Sequence, residues 1–207
     1  MNAPSAIKPV NLLGISGSLR RGANSTAVLR TLQDEVGSEV RLEVESLRGI
    51  PLYDQDEEDQ GEPERVRTFK AAIARADGLV VVSPEYNYGV PGVLKNAIDW
   101  ASRPAFNSVL KDKPALIITS SPSGVGGARA AAQIREALGA CLARLVPHPQ
   151  LAIGAVHQKI RDGRLADEAT LKRALAAISA LLDEISAARA LAGLASSFRG
   201  EALGHPR

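Results

Sequence analysis

The chain has 207 residues, 45% hydrophobic and only 3% aromatic, which suits one α/β domain with a core of Ala, Leu, Val and Ile. Its 25 basic and 23 acidic residues leave a formal net charge of +2, giving no electrostatic case for nucleic acid or another polyanion. A single cysteine, Cys141, excludes an intrachain disulfide framework and a CxxC redox pair, so any electron transfer must run through a bound cofactor.

Residues 10–15 (VNLLGI) form a short apolar run ending at Ser16-Gly17-Ser18 and read as a buried strand. Residues 25–35 place Val28, Leu29 and Leu32 on one helical face, with Asn24 or Ser25 as the expected cap. Residues 40–44 alternate apolar and charged, as in a more exposed strand. The acidic stretch 48–62 reads as a long loop. Pro63 suits a first helical turn, after which Val66, Phe69, Ile73 and Ala76 form a helical stripe. Residues 78–83 (GLVVVS) read as a strand covered on both faces. A loop at 84–92 precedes a helix at 93–102. Another buried strand lies at 114–120 (PALIITS), followed by a Gly/Ser loop at 121–127 and a helix at 128–142. Residues 146–153 read as an edge or short strand, because Pro147 and Pro149 restrict its pairing. An Ala/Leu-rich helix is expected at 167–191. The expected organisation is one domain over 1–194 and a disordered tail over 195–207. The strand–helix alternation predicts five parallel strands with helices on both faces, a three-layer α/β/α architecture.

Ligands of such sheets bind beyond the carboxyl ends of the strands. Three of those ends carry loops rich in Gly, Ser and Asn. The first, 17–25 (GSLRRGANS), offers backbone N–H groups opening a helix, the Ser18 and Ser25 hydroxyls and Arg20, as an anion site for a phosphate. It lacks both GxxxxGK[ST] and GxGxxG. The second, 84–92 (PEYNYGVPG), supplies a rigid wall suited to a flat heteroaromatic ring. There Tyr86 is assigned to the ligand, and Tyr88 either to the ligand or to the loop. Glu85 is assigned to holding the loop rather than to proton transfer. The third is 120–127.

The segment 83–104 (SPEYNYGVPGVLKNAIDWASRP) resembles the hallmark segment of the NAD(P)H-dependent FMN reductase family, in the branch of bacterial quinone and chromate reductases and related yeast and plant quinone reductases. Residues 17–25 are similar to that family's phosphate loop, Ile50-Pro51-Leu52-Tyr53-Asp54 to its next loop, and the Thr119–Arg129 region to its third. The resemblance runs from about Val10 to Ile153. It implies a flavodoxin-like fold, bound FMN, NADPH or NADH as donor, and a homodimer or homotetramer. It assigns Ser18, Arg20 and Ser25 to the FMN phosphate, with Asn24 compensating where relatives have Ser and Asn at the positions of Ala23 and Ser25. Pro84, Glu85, Tyr86 and Asn87 then line the isoalloxazine, and Ser120 or Ser121 lies near the ring or ribityl chain. In such dimers the Tyr53-Asp54 loop approaches the neighbouring flavin. The hydride passes through flavin N5, so no catalytic side chain is assigned, and one site used in turn gives ping-pong kinetics. Acceptors implied are quinones, with chromate, azo and nitro compounds and free flavin as further candidates.

Two rivals fit less well. A flavodoxin-type electron carrier is usually strongly acidic, unlike this chain. A Ser-dependent hydrolase centred on Ser16 fails the GxSxG pattern at Ser18. His148, His157 and His205 lack metal-ligand spacing, Cys141 reads as a small core residue, and the acidic stretch 54–59 as a solvated loop without an EF-hand pattern. Trp100 is assigned to packing. With no leader-like or spanning apolar segment in sequence, the expected location is the cytoplasm, without membrane or nucleic-acid partners.

Overall fold

The computed structural model describes residues 9–203, with side chains through 194. Four strands form the centre: β1 (Val10–Ser16), β2 (Val40–Glu45), β3 (Gly78–Pro84) and β4 (Pro114–Ser120). All pair in parallel, in the order β2-β1-β3-β4, with Ser16 opposite Val82 and Pro84 opposite Ser120. This is the expected flavodoxin-like arrangement.

The fifth position differs from the single strand expected at 146–153. Two short pieces, β5 (Arg144–Leu145) and β6 (Leu151–Ile153), both pair with β4. Pro147 and Pro149 lie between them, and neither can donate a ladder hydrogen bond.

Successive strand residues point to opposite faces, so each face collects its own core. Leu12, Val80, Val82, Leu116 and Ile118 pack with α1 (Asn24–Glu35) and α7 (Glu168–Leu203) through Val28, Leu29, Leu32, Ile178, Leu181 and Ile185. Leu13, Ile15, Leu79, Val81 and Ile117 pack with α3 (Glu64–Arg75), α4 (Gly92–Ala101) and α5 (Ala128–Ala140) through Phe69, Ile73, Leu94, Ile98, Ile134 and Leu138. Continuous burial along β3 and β4 accounts for their unbroken apolar sequences.

Three elements fall where the sequence indicated loop or nothing. Helix α2 (Gln55–Gln60) interrupts the acidic stretch, and Asp54 caps it by accepting from the Asp56 N–H at 2.9 Å. After β6 come α6 (Val156–Lys159) and an antiparallel hairpin, β7 (Ile160–Arg161) with β8 (Arg164–Leu165). The hairpin docks on α1 through the Leu165 N–H and the buried Thr31 hydroxyl, 2.9 Å apart. Helix α7 runs past the expected end at 191 and through the expected boundary at 194. Residues 204–207 of the expected tail lie outside the described residues. Among the described residues, no helix is long and apolar enough to cross a membrane.

Candidate functional site

The loop after β1 leaves the sheet in close contact with β3. The Gly17 N–H donates to the Val82 carbonyl at 2.9 Å. A Cβ at Gly17 would lie 2.4 Å from Ser83 Oγ and 3.0 Å from Ser83 Cα, so only glycine lets the backbone pass here. Beneath the loop, Ser16 Oγ lies 2.9 Å from both Ser25 Oγ and Thr26 Oγ1. These hydroxyls tie the strand end to the helix start. Ser16 thus partners other hydroxyls, which gives the hydrolase reading no histidine to rest on.

Neither Asn24 nor Ser25 is the cap expected from the sequence. The N-cap of α1 is Ala23, with no side-chain cap, and Ser25 is buried against Ser16. Among the described residues, no side chain therefore bonds the first-turn N–H groups of α1, which carry the positive end of the helix dipole. Such an end suits an anion.

The loop after β3 is a tight turn. Tyr86 and Gly89 exchange two backbone hydrogen bonds of 3.0 Å, and the two residues between them, Asn87 and Tyr88, have φ of 49° and 63°. This left-handed pair is the mark of a two-residue hairpin turn. Gln133 on α5 fixes the turn by accepting from the Val90 N–H at 2.9 Å. The Arg129 guanidinium stacks over the Tyr88 ring at 4.3 Å, so Tyr88, 70% exposed, is tied to the third loop. Glu85 Oε2 accepts from the Arg129 and Ala130 N–H groups at 3.0 and 3.1 Å. Its carboxylate serves the start of α5, as expected of a group that holds the loop. The Tyr86 hydroxyl lies 3.1 Å from Ser18 Oγ and joins the first loop to the second.

These loops enclose a groove of about 210 Å³ beyond the carboxyl ends of β1, β3 and β4, at the switch point of this strand order. Of the residues expected at the site, it brings together Ser18, Arg20, Asn24, Ser25, Pro84, Glu85, Tyr86 and Ser120. Asn87 and Ser121 lie outside its lining. Asn87 sits at the outer tip of the turn. Ser121 turns toward β6, its N–H donating to the Ile153 carbonyl at 3.0 Å and its hydroxyl bonded to Ser123. The groove also includes Val156 from α6. A lone valine in a segment without periodicity carried no signal of that position. Below the third loop, the buried Thr119 hydroxyl has no hydrogen-bond partner among the described residues.

Other residues singled out by the sequence have structural partners. Trp100 is fully buried, donates to the Pro51 carbonyl at 3.0 Å and meets Tyr53 edge to face at 5.0 Å. Asn96 holds the same loop by accepting from the Tyr53 N–H at 2.8 Å. Burial and the adjacent Glu58 carboxylate push the Tyr53 hydroxyl above its ordinary pKa. Leu52 beside it is 83% exposed. Burial pushes the half-buried Cys141 thiol above its ordinary pKa. His148 Nδ1 bonds the Pro149 carbonyl, and His205 lies outside the described residues. Among the described residues, no three His, Cys, Asp or Glu side chains are grouped to hold a metal.

Comparison with known proteins gives a consistent result. The family model described as NADPH-dependent FMN reductase matches residues 10–158. A quinone reductase of Escherichia coli is 39% identical over 166 residues, covering 78% of this chain and 88% of that protein. An NAD(P)H-dependent FMN reductase of Pseudomonas aeruginosa is 39% identical over 160 residues, covering 77% and 86%. Among solved structures, the flavoenzyme NAD(P)H:(acceptor) oxidoreductase FerB of Paracoccus denitrificans superposes with a TM-score of 0.75 at 31% identity, covering 86% of this chain and 97% of that one.

Proposed function

The chain belongs to the NADPH-dependent FMN reductase family, and from that premise we propose that it is a cytoplasmic oxidoreductase that binds FMN in the β1/β3 groove and reduces quinones at the expense of NAD(P)H. The observation that carries this reading is the convergence of a phosphate loop and a ring wall in one groove. The uncapped start of α1, the Ser18 hydroxyl and Arg20 line it with Pro84, Tyr86 and Ser120.

The residues fit the group. A phosphate monoester takes the helix-end N–H groups and Arg20, with Asn24 beside them. Ser25 supports this loop from below, because its hydroxyl is already engaged by Ser16. Pro84 and the backbone of 85–87 give a rigid edge for a planar ring, and Tyr86, 49% exposed, offers an aromatic face. When bound, FMN would supply the hydride-carrying chemistry between the nicotinamide and a flat acceptor. The chain contributes position: Glu85 and Gln133 fix the turn that sets how closely a donor approaches, and small misplacements at such a site cost roughly 100-fold in rate. No side chain needs to form a bond with substrate. Successive use of one face implies ping-pong kinetics, and the open groove would accept azo or nitro compounds, chromate or free flavin as well as quinones.

The FMN-binding unit is the whole domain over 1–194. The protein is at least a dimer in this reading, with exposed Leu52 and the Tyr53-Asp54 loop against the neighbour. The test is direct. Purified protein given FMN should show flavin absorption near one per chain and oxidise NADPH when 1,4-benzoquinone is added. Absence of flavin uptake would overturn the reading. Flavin uptake without NADPH turnover would point to an electron carrier.

A further inference from the structure

Resting on the FMN-reductase reading, we infer that a second, arginine-lined cleft beside the flavin groove receives the 2′-phosphate of NADPH and makes the protein prefer NADPH to NADH. This cleft, about 450 Å³, lies beyond the carboxyl ends of β1 and β2 and over α1. It shares Ser18 and Arg20 with the flavin groove, so the two sites are contiguous. Its size falls within the roughly 300–1,000 Å³ of small-molecule sites.

The charge in this cleft is unusual for a chain of net +2. Arg20, Arg21, Arg30 and Arg48 all line it, and none forms an ion pair among the described residues. The only lining carboxylate, Glu45, is already paired with Arg65 at 2.5 Å. One flavin phosphate carries at most about two charges, and Arg20 with the start of α1 meets that demand. The other three guanidiniums are left for a second anionic group. Guanidinium is the group suited to a phosphate monoester, which it grips with paired N–H donors, and its flat face also stacks on an aromatic base.

Part of the cleft is held in shape. Arg65 donates to the Ser46 carbonyl and to the Arg48 carbonyl, the latter at 3.1 Å, which fixes the loop after β2. Arg48 then crosses to the loop after β1 and donates to the Leu19 carbonyl at 2.8 Å. Half-buried Leu19 and Val44 supply a small apolar wall. Arg30 stands on the exposed face of α1 with no hydrogen bond to other residues among those described, so its replacement leaves the loops intact.

The experiment uses the FMN-loaded full chain. Calorimetric titration compares 2′,5′-ADP with 5′-AMP, which lacks the 2′-phosphate, in the wild type, Arg30→Gln and Arg75→Gln at the opposite end of the sheet. Steady-state assays with 1,4-benzoquinone give kcat/KM for NADPH and NADH. The wild type should bind 2′,5′-ADP at least about tenfold more tightly than 5′-AMP, the usual worth of a charged hydrogen bond. Arg30→Gln should reduce that ratio and the NADPH-over-NADH preference together, through KM, while FMN titrates as before. Arg75→Gln should change neither. Equal binding of the two nucleotides by the wild type would overturn the inference. So would equal losses for both donors, competition by inorganic phosphate as strong as by 2′,5′-ADP, or loss of FMN in Arg30→Gln. Selective 2′,5′-ADP binding in a wild type that takes up no FMN would leave the cleft assigned and remove the flavin reading. FMN binding with no selectivity would do the reverse.

Discussion

The two ends of the sheet handle charge in opposite ways. At the amino end lies a cleft of about 590 Å³, larger than either cavity at the carboxyl end, and lined by five cations. Most of these are satisfied within the protein. Arg144 pairs with Glu184 and Arg189 with Asp77, each at 2.7 Å. Lys113 donates to the Ala76 carbonyl at 2.5 Å and to that of Ala74, closing the carboxyl end of α3, where a cation is favoured. Only Arg75 and Lys111 on its rim have neither an ion pair nor a side-chain hydrogen bond among the described residues. At the carboxyl end, among the described residues, four arginines have no carboxylate and α1 has no side-chain cap. Cavity size therefore does not mark the site. Unmatched charge and unmatched backbone donors mark it, because they cost stability that a ligand can restore.

This contrast predicts a division of effects. The largest belongs to Arg20→Ala, which should weaken FMN binding about 10- to 100-fold in a fluorescence-quenching titration, while the urea midpoint stays unchanged. Arg21→Ala should weaken FMN less, since Arg21 lines only the outer cleft. Equal losses would erase the distinction between groove and cleft.

At the other end the signs reverse. Asp77 accepts from the Asn11 N–H at 2.9 Å and pairs with Arg189. Asp77→Ala should cost about 1–2 kcal/mol in urea unfolding and leave FMN affinity unchanged. Burial pushes the Asp77 carboxyl up, but the Asn11 N–H and Arg189 outweigh it, and the group lies below its ordinary value of 3.8. The unfolded chain then binds a proton that the folded chain refuses. The stabilisation is present above about pH 4 and fades as the pH falls through the lowered pKa, so the mutant and wild-type curves should converge in acid. A constant gap down to the lowest pH would contradict this assignment.

Smaller effects belong to the turn between the two loops. Glu85→Gln weakens the acceptor at the start of α5 and should cost about 1 kcal/mol in thermal unfolding. Tyr86→Phe removes only the contact with Ser18. It should slow flavin bleaching by NADPH less than about tenfold in stopped-flow. A near-complete loss with normal FMN binding would show that the hydroxyl takes part in the reaction.

How much of this was legible depends on what each signal measures. Apolar runs read as buried strands because β3 and β4 are covered on both faces, and that pattern survives in sequence. The first two loops were visible because close backbone passage at Gly17 and the left-handed position of Asn87 favour particular residue types. The split of the fifth strand was half visible, since the prolines restricted pairing but did not say where it resumes. The roles of Arg48, Arg65 and Val156 were not legible. Their neighbours lie far along the chain, and nothing local distinguishes an arginine that staples a loop, such as Arg65 or Arg48, from one that only faces a cleft, such as Arg30. The cap of α1 was misread for a related reason. Ser25 has the right chemistry for a cap, but Ser16, nine residues away, engages its hydroxyl first.

The central claim is that the carboxyl end of the sheet holds a flavin by its phosphate. The most direct measurement compares FMN with riboflavin, the same ring and ribityl chain without the phosphate, by fluorescence quenching at fixed ionic strength. The account predicts about one FMN per chain and riboflavin affinity lower by roughly 100-fold, the combined worth of charge-assisted hydrogen bonds from Arg20 and the start of α1. Equal affinity for the two flavins would contradict it, because the unmatched donors at that end would then have no part in binding.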